Sequence, residues 1–542
     1  MRRQAATASA PPVEPVLELD DIQGIAVPGF FKPHQTLLGL RVPDRAGADA
    51  DFKALVRALA VDVTDGRRTL DDRRSYRAER HKTQTRHRTG NDVVLVALAF
   101  SQRGLLRLTP GAAALDSDAF RLGMAARAKL LGDPADPHAE GHPSRWVVGG
   151  TGAELDALVV LAGDHRDTVT ARADVVANAV NAQRIELAYR EDGDVREDPE
   201  RGHEHFGFDD GVSQPGIRGR ASDAPDDFIT SRRLAPSEVP ASWLYGYPGQ
   251  DLVWPGEFVL GYPATSPDPL LPGPPRSMVP TWTRNGSFLV YRRLRQDVGL
   301  FWRSMRELAA SLAERPGFDG MTADTLAARL VGRWHSGAPV NRTPGGDVPA
   351  LGNDRHANNY FTFDYDTPPV VHADGKPDPF PELMAKADPA GITCPWAAHI
   401  RKVNTRDAGS DMGGRNATYD RRLLRVGVSF GKSLADRFAH PKDDPEHGNR
   451  GLMFLAIQSS IEDQFEFLSA RWINDDARPK AGGNDMLVGQ NAAAPGGIRR
   501  CTLFGSGLQE ETVAADRQWV IPTGGGYFFV PSLGALRDVL SR

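Results

Sequence analysis

Three stretches hold side chains whose types and spacing could do chemistry. In "HFGFDDGVSQPG" (His205 to Gly216) two neighbouring carboxylates, Asp209 and Asp210, sit between Gly207 and Gly211. Like charges side by side repel, and glycines weaken regular structure. The pattern suits either an Asx-turn in a polar loop or a fixed acid at a site. In "CPWAAHIRKVNTRD" a single histidine, His399, is followed by Arg401, Lys402 and Arg406. In "RRLLRVGVSFG" Arg425 runs into an apolar, glycine-broken stretch, whereas Arg421 and Arg422 read better as strand arginines on a solvent face. A fixed guanidinium of this kind could stabilise negative charge developing on a departing atom. One competing chemistry is available: "HEHFGFDD" offers His203, His205 and two aspartates, a possible ligand set for a metal-dependent hydrolase.

Charge and cysteine content narrow the classes. The 542 residues carry 65 basic and 70 acidic side chains, a net charge of −5, which gives no general attraction to nucleic acid. One basic run, Arg67 to Arg88, is interleaved with acids and poor in apolar residues, and reads as a solvated loop. Cys394 and Cys501 are the only cysteines, too few for a disulfide framework, a cysteine zinc site or a CxxCH haem attachment. The longest apolar run, "VVLVALAF", falls far short of the ~20 residues of a membrane helix. The first residues lack the apolar core of a secretory signal and read as a disordered leader over 1–18, so a cytoplasmic location is expected.

The elements that must position these residues follow from periodicity. Strands are expected at Thr36 to Val42, around Val93 to Phe100, at Leu155 to Gly163 and at Arg184 to Arg190. Helices are expected at Asp51 to Val63 and Arg166 to Gln183. That is the β-α-β-β-α-β order of a ferredoxin-like unit. A proline-rich connection, 216–284, follows. The order then recurs: strand Gly286 to Leu294, helix Asp297 to Glu314, strands in "RLLRVGVSFG" and "RGLMFLAIQS", a helix in "IEDQFEFLSARWIN", and a strand in "GGGYFFVPS". The reading is an α+β chain of two ferredoxin-like halves with antiparallel sheets, 19–215 and 285–542. The second half carries an insertion at about 316–418.

Together these stretches resemble the dye-decolourising peroxidase family. The GxxDG pattern of Gly207 to Gly211 followed by Gln214-Pro215, "NGSFLVYRRLRQDV", "CPWAAHIRKVNTRD" and "RRLLRVGVSFG" occur in the family's order, with "DIQG", "GRWHSGAP" and "YFFVPSL" in weaker agreement. The resemblance implies one haem b per chain, held in the C-terminal half, with His399 as axial ligand to its iron. It implies Arg406, and secondarily Arg401, as partners of the haem propionates. Asp485 is implied as the carboxylate that orients His399, with Glu466 as the alternative. Asp210 would shuttle the peroxide proton, with Asp209 facing solvent or capping a turn, and Arg425 would assist O–O heterolysis. Leu452 and Phe454 could wall the distal pocket. Hydrogen peroxide and an organic or metal-ion reductant are the implied partners, with no nucleic acid, no membrane and a possible homo-oligomer. A haem carrier without turnover would need His399 but neither Asp210 nor Arg425.

Overall fold

Strands β1 (His34–Arg41), β2 (Leu95–Phe100), β3 (Ala157–Gly163) and β4 (Glu186–Asp194) lie antiparallel in the order 4-1-3-2. In the second half, β5 (Ser287–Gln296), β6 (Leu424–Arg425), β7 (Val428–Phe430), β8 (Gly451–Gln458) and, after a hairpin, β11 (Val520–Val530) repeat that order. Here β11 pairs β5, β5 pairs β8, and β8 pairs both β6 and β7. The hairpin strands β9 (Arg499–Phe504) and β10 (Glu510–Ala515) pair only with each other. This computed structural model describes residues 12–83, 91–235, 241–444 and 448–542.

The two halves are not separate sheets. Phe430 pairs with Gly193 at one seam and Phe529 with Phe100 at the other, so the sheets join into one closed barrel. Closure removes the free edges that an open sheet must otherwise protect. It also explains why β2 and β3 are apolar without alternation. Along β2, Val96, Leu98 and Phe100 face one buried core, and Leu95, Ala97 and Ala99 face another. Both faces of the sheet are therefore covered, which removes the polar half of the usual period-two pattern.

The first core is completed by helices α1 (Ala48–Ala60) and α3 (Arg166–Ala182). On α3 the buried residues Val169, Ala173, Val176 and Val180 recur at helical spacing. The basic run is not a loop: helix α2 (Gly66–Thr83) covers most of it, and residues 84–90 lie outside the described residues. Leu70 and Thr69 bury the start of α2, and Arg73 stacks on Phe31 at 4.4 Å. Arginine and glutamate are good helix formers, so one buried leucine and the alkyl stems of arginines suffice for packing. Part of the expected leader is also ordered. Leu17 is buried, and Glu14 meets Arg218 at 3.2 Å and Arg232 at 2.6 Å. Residues 1–11 lie outside the described residues.

Two further cores carry the segments around the site. Helices α4 (Val298–Ala313) and α5 (Ala323–Val331) pack with Phe206, Phe208 and the β9–β10 hairpin. The insertion has its own core around Trp334, Phe361, Phe363 and Trp396. Helix α6 (His399–Val403) emerges from that core. The expected helix after β8 winds as two successive π-helical segments, Ile461–Glu466 and Leu468–Ile473. Among the described residues no helix is long and apolar enough to cross a membrane.

Candidate active site

A cavity of about 330 Å³ opens among the 204–215 loop, α6, β6 and β8. His399, Asp210, Arg425, Arg406, Leu452 and Phe454 all line it. Its size falls at the lower end of small-molecule sites.

His399 is the first residue of α6, after the buried pair Ala397-Ala398. Its Nδ1 lies 2.7 Å from Oδ2 of Asp485. The other carboxylate oxygen accepts the backbone N–H groups of Leu487, at 2.9 Å, and Val488, at 3.1 Å. Burial would push the Asp485 carboxyl up, but the charge and hydrogen bond of His399 and the two amides outweigh it and hold it below the usual carboxylate value. An ionised acceptor at Nδ1 leaves the proton there and the lone pair on Nε2. Nε2 has no hydrogen-bond partner among the described residues. Glu466 plays no part here: it is bound by Arg127, with Nε to Oε1 at 2.9 Å, and by the Tyr527 hydroxyl at 3.0 Å.

The loop "EHFGFDDG" is held from within. Glu204 accepts the amides of Phe206, at 2.8 Å, and Phe208, at 2.9 Å, and also the side-chain amide of Gln296. Gly207 and Gly211 have φ of 96° and 79°, the left-handed region that favours glycine. A Cβ on Gly211 would meet nothing within 4 Å, so its backbone angle, rather than crowding, calls for glycine there.

Asp210 Oδ1 accepts the Gly211 amide at 2.7 Å and lies 3.4 Å from Nη1 of Arg425. Arg425 also donates to the Ser213 carbonyl at 2.8 Å. Gln214 clamps the arginine's backbone, donating to its carbonyl at 2.8 Å and accepting its amide at 3.3 Å. The carboxylate is thus half-exposed toward the cavity with a guanidinium beside it. Asp209 corrects the expectation of a solvent-facing neighbour. It is largely buried and lines the cavity, and burial, reinforced by the charge of Asp210 and opposed by Arg333, pushes its carboxyl up to about 7. The chain turns it inward because the Asp209 amide is tied to the His335 carbonyl at 3.1 Å.

Of the two arginines expected to meet an anion beside His399, one does not reach the cavity. Arg401 is fully buried behind it, donating to the carbonyls of Cys394 (2.7 Å) and Asp388 (2.8 Å) and sandwiched against Trp396 and Phe363. Two residues along a helix turn the side chain by roughly 200°, so Arg401 and His399 point to opposite sides. Arg406 does line the cavity. It shares one acceptor, Oδ1 of Asn359, with a second cavity arginine, Arg333, at 2.6 and 2.9 Å. Among the described residues neither guanidinium has a carboxylate within 4.0 Å. Burial, above all, lowers Arg333 to about 9 and Arg406 to about 10. Arg333 lies in "GRWHSGAP", where the motif was visible but not its direction. Asn359, in "HANNYF", gives no signal in sequence. Arg422 is likewise not on a solvent face: it is buried and donates to Asp251 at 2.9 Å.

The hydrolase alternative finds no site. His205 is buried with Nε2 at 2.8 Å from the Phe430 carbonyl, and burial lowers it to about 4. Among the described residues no three His, Cys, Asp or Glu side chains converge to hold a metal ion.

Comparison with known proteins agrees with this architecture. Residues 21–197 match the family described as the DyP dimeric alpha+beta barrel domain. "Peroxidase 2" of Mycetinis scorodonius is 30% identical over 549 residues, spanning 99% of this chain and 90% of that protein. The chain belongs to the dye-decolourising peroxidase family. The peroxidase is also 30% identical to the dye-decolorizing peroxidase msp1 of the same fungus, over 99% of this chain and 90% of that one. With the multifunctional dye peroxidase DyP2 of an Amycolatopsis strain the identity is 30% over 80% of this chain and 79% of that one. Among solved structures, an ancestral D-type dye-decolorizing peroxidase superposes with a TM-score of 0.73 at 28% identity, covering 98% of this peroxidase and all of that chain. The enzyme from Auricularia auricula-judae superposes with a TM-score of 0.69 at 27% identity over 97% of this chain and 100% of that one. The peroxidase is therefore an oxidoreductase of the type that acts on dyes, built on the two α+β halves read from its sequence, which the structure closes into one barrel.

Proposed function

We propose that this peroxidase binds haem b in the cavity and uses hydrogen peroxide to oxidise dyes, phenols or similar reductants in one-electron steps. The observation that carries the proposal is the set of groups sharing one cavity. An imidazole with its Nδ1 proton fixed by a buried carboxylate stands in the same space as an acid–guanidinium pair and two arginines without carboxylate partners. This donor set fits the cofactor: Nε2 of His399 has no hydrogen-bond partner among the described residues, and Arg333 and Arg406, held on Asn359 and backbone carbonyls, lack the carboxylate partners that propionates would supply. When bound, the haem supplies the redox chemistry; the protein supplies ligation, charge and access.

The residues divide the work as follows. Asp485 keeps His399 in the tautomer that presents a lone pair and makes that nitrogen more electron-rich. Asp210 accepts the proton of incoming peroxide and returns it to the departing oxygen. Arg425 holds a permanent positive charge beside that oxygen and stabilises the negative charge that develops as the O–O bond breaks. Gln214 and Ser213 fix the arginine so that this charge needs no reorganisation. Leu452 and Phe454 give the cavity an apolar wall on β8.

An absorption spectrum of the purified protein before and after rapid mixing with peroxide tests the reading. A Soret band that shifts within the mixing experiment, and fails to do so at the parent rate in Asp210→Ala, is the expected result. A Soret band that does not respond to peroxide would point to a haem carrier, and no Soret band after haemin addition would remove the cofactor assignment.

A further inference from the structure

The turn in "GRWHSGAP" presses His335 against the loop that carries Asp209 and Asp210. Trp334 donates its amide to the Ala338 carbonyl at 2.9 Å and accepts the Gly337 amide at 2.9 Å, which makes the turn tight. Its approach to the loop is close. A Cβ on Gly207 would lie 3.3 Å from His335 Nδ1, and one on Gly337 would lie 3.1 Å from Oδ2 of Asp209. The turn grips the loop at two points. The His335 carbonyl accepts the Asp209 amide at 3.1 Å, and Nδ1 of the ring lies 2.7 Å from the Gly207 carbonyl oxygen.

On the ring's other side, Nε2 lies 3.0 Å from Oδ1 of Asp324, on α5. Arg437, from the segment between β7 and β8, donates to both oxygens of that carboxylate at 2.8 and 3.0 Å. The ring stacks on Phe208 at 4.4 Å, and Trp302 of α4 lies near-parallel at 5.5 Å. The other charged groups beside the turn are directed elsewhere. Arg333 donates to the Gly337 and Asn358 carbonyls, and Asp347 accepts the Ser336 amide at 3.2 Å. Phe208 and Asp209 line the cavity, whereas His335 stands behind them.

The two partners decide the charge of the ring. A backbone carbonyl has no proton to give, and neither has an ionised carboxylate. The hydrogen bond from His335, and then those from Arg437, hold Asp324 far below the usual carboxylate value against its burial. Each ring nitrogen must therefore carry its own proton, and the folded ring is an imidazolium. The faces of Phe208 and Trp302 favour a cation as well. Burial pulls the ring down, but its bonds to Asp324 and Gly207 and the Asp324 charge outweigh that and hold it above the ordinary histidine value. A neutral ring has a single N–H and must surrender one of the two bonds.

We propose that His335 is a positioning residue for the peroxide reaction: an imidazolium bracketed between Asp324 and the Gly207 carbonyl, it fixes the loop that presents Asp210 to the cavity. The role rests on the proposed use of Asp210 as proton carrier. The bracket is complete below the ordinary histidine pKa of about 6.5 and opens as pH rises through the higher folded value.

Deuterium exchange of the holoprotein, read by mass spectrometry, tests this without turnover. Exchange at the His335 Cε1–H reports the ring's own midpoint. Amide exchange over residues 204–211, corrected for its intrinsic pH dependence, reports the loop. The ring midpoint should lie above about 6.5 and drop by about 1–3 units in Asp324→Asn. Loop exchange should quicken roughly tenfold or more above that midpoint, the scale of one lost charge-assisted hydrogen bond. This step should move with the ring in Asp324→Asn. Asp209 titrates in the same loop, but Asp324→Asn removes none of its partners, so a step borne by Asp209 would stay in place. His335→Gln keeps a donor for Gly207 and cannot titrate, and its loop exchange should lose the step. In stopped-flow mixing, the alkaline fall in the rate of the peroxide-induced spectral change should move to lower pH in Asp324→Asn and lose its His335 step in His335→Gln. A ring midpoint at or below about 6.5, loop exchange indifferent to both substitutions, or peroxide rates that ignore the step would overturn the role. A loop that follows the ring in a protein whose haem spectrum never responds to peroxide would support the bracket and strike the proposed function instead.

Discussion

His399 and Asp485 lie 86 residues apart in sequence and 2.7 Å apart in space, and the carboxylate has no route to solvent. The pair sets the electron density at the nitrogen that faces the cavity. Asp485→Asn keeps the shape and removes the charge. Outer-shell changes of this kind typically cost about 10–100-fold in metal affinity or activity. Transfer of haem to an excess of apomyoglobin should be faster from the variant by a factor in that range.

Asp210 and Arg425 touch only loosely, at 3.4 Å, so neither depends on the other for its position. Loss of either should be felt in the reaction with peroxide rather than in folding. Asp210→Asn removes the proton acceptor and should slow the peroxide-induced spectral change by about 10²–10⁴-fold. Arg425→Leu should slow it by about 10²–10³-fold, the usual scale for one lost electrostatic stabiliser. Stopped-flow absorbance measures both, and unchanged Tm values would confirm that the fold is untouched.

Arg401 separates structure from function at the same segment. Its guanidinium is buried against the Asp388 carboxylate at 3.2 Å, two carbonyls and two rings, away from the cavity. Arg401→Leu should cost about 3–5 kcal/mol, the scale for removing one partner of a buried charged network, with the absorption spectrum of the remaining folded protein unchanged. Arg406→Leu should do the reverse: a modest change in Tm and markedly weaker haem retention, read by gel filtration of haemin-loaded protein.

Asp209 gives the protein a pH dependence with a definite sign. Its carboxyl titrates at about 7 in the folded chain, largely because it is buried, against about 4 when unfolded. Between these values the folded state binds the extra proton, so stability is complete below about pH 4 and falls as pH rises to 7. Asp209→Asn removes the ionising group. It should raise Tm at pH 8 and leave it nearly unchanged at pH 4, as differential scanning calorimetry would show.

Most of the fold was legible because long apolar runs and helical periodicity are local signals. The strands of both halves and helices α1, α3 and α4 lie within a few residues of where periodicity puts them. Barrel closure was not legible, since it rests on two single-pair seams, Phe430 with Gly193 and Phe529 with Phe100, that leave no mark on either strand. Helix α2 was missed because its packing uses one leucine and arginine stems rather than an apolar stripe. At the site, the motif residues His399, Asp485, Asp210, Arg425 and Arg406 do share one neighbourhood. The errors concern direction. Whether Arg401 or Arg333 enters the cavity, and whether Asp209 turns inward, depends on a helix phase and a backbone tie that spacing alone does not reveal.

The seam between β4 and β7 has a consequence for how the enzyme matures. Asp210 lies in the loop beyond the last strand of one half, and Arg425 ends β6, a short step before the strand that stitches the other half to it. A chain whose ring has not shut would keep His399 on its Asp485 carboxylate but lack the assembled Asp210–Arg425 wall opposite it. Cofactor retention would then double as a record of correct assembly, with half-folded chains left colourless.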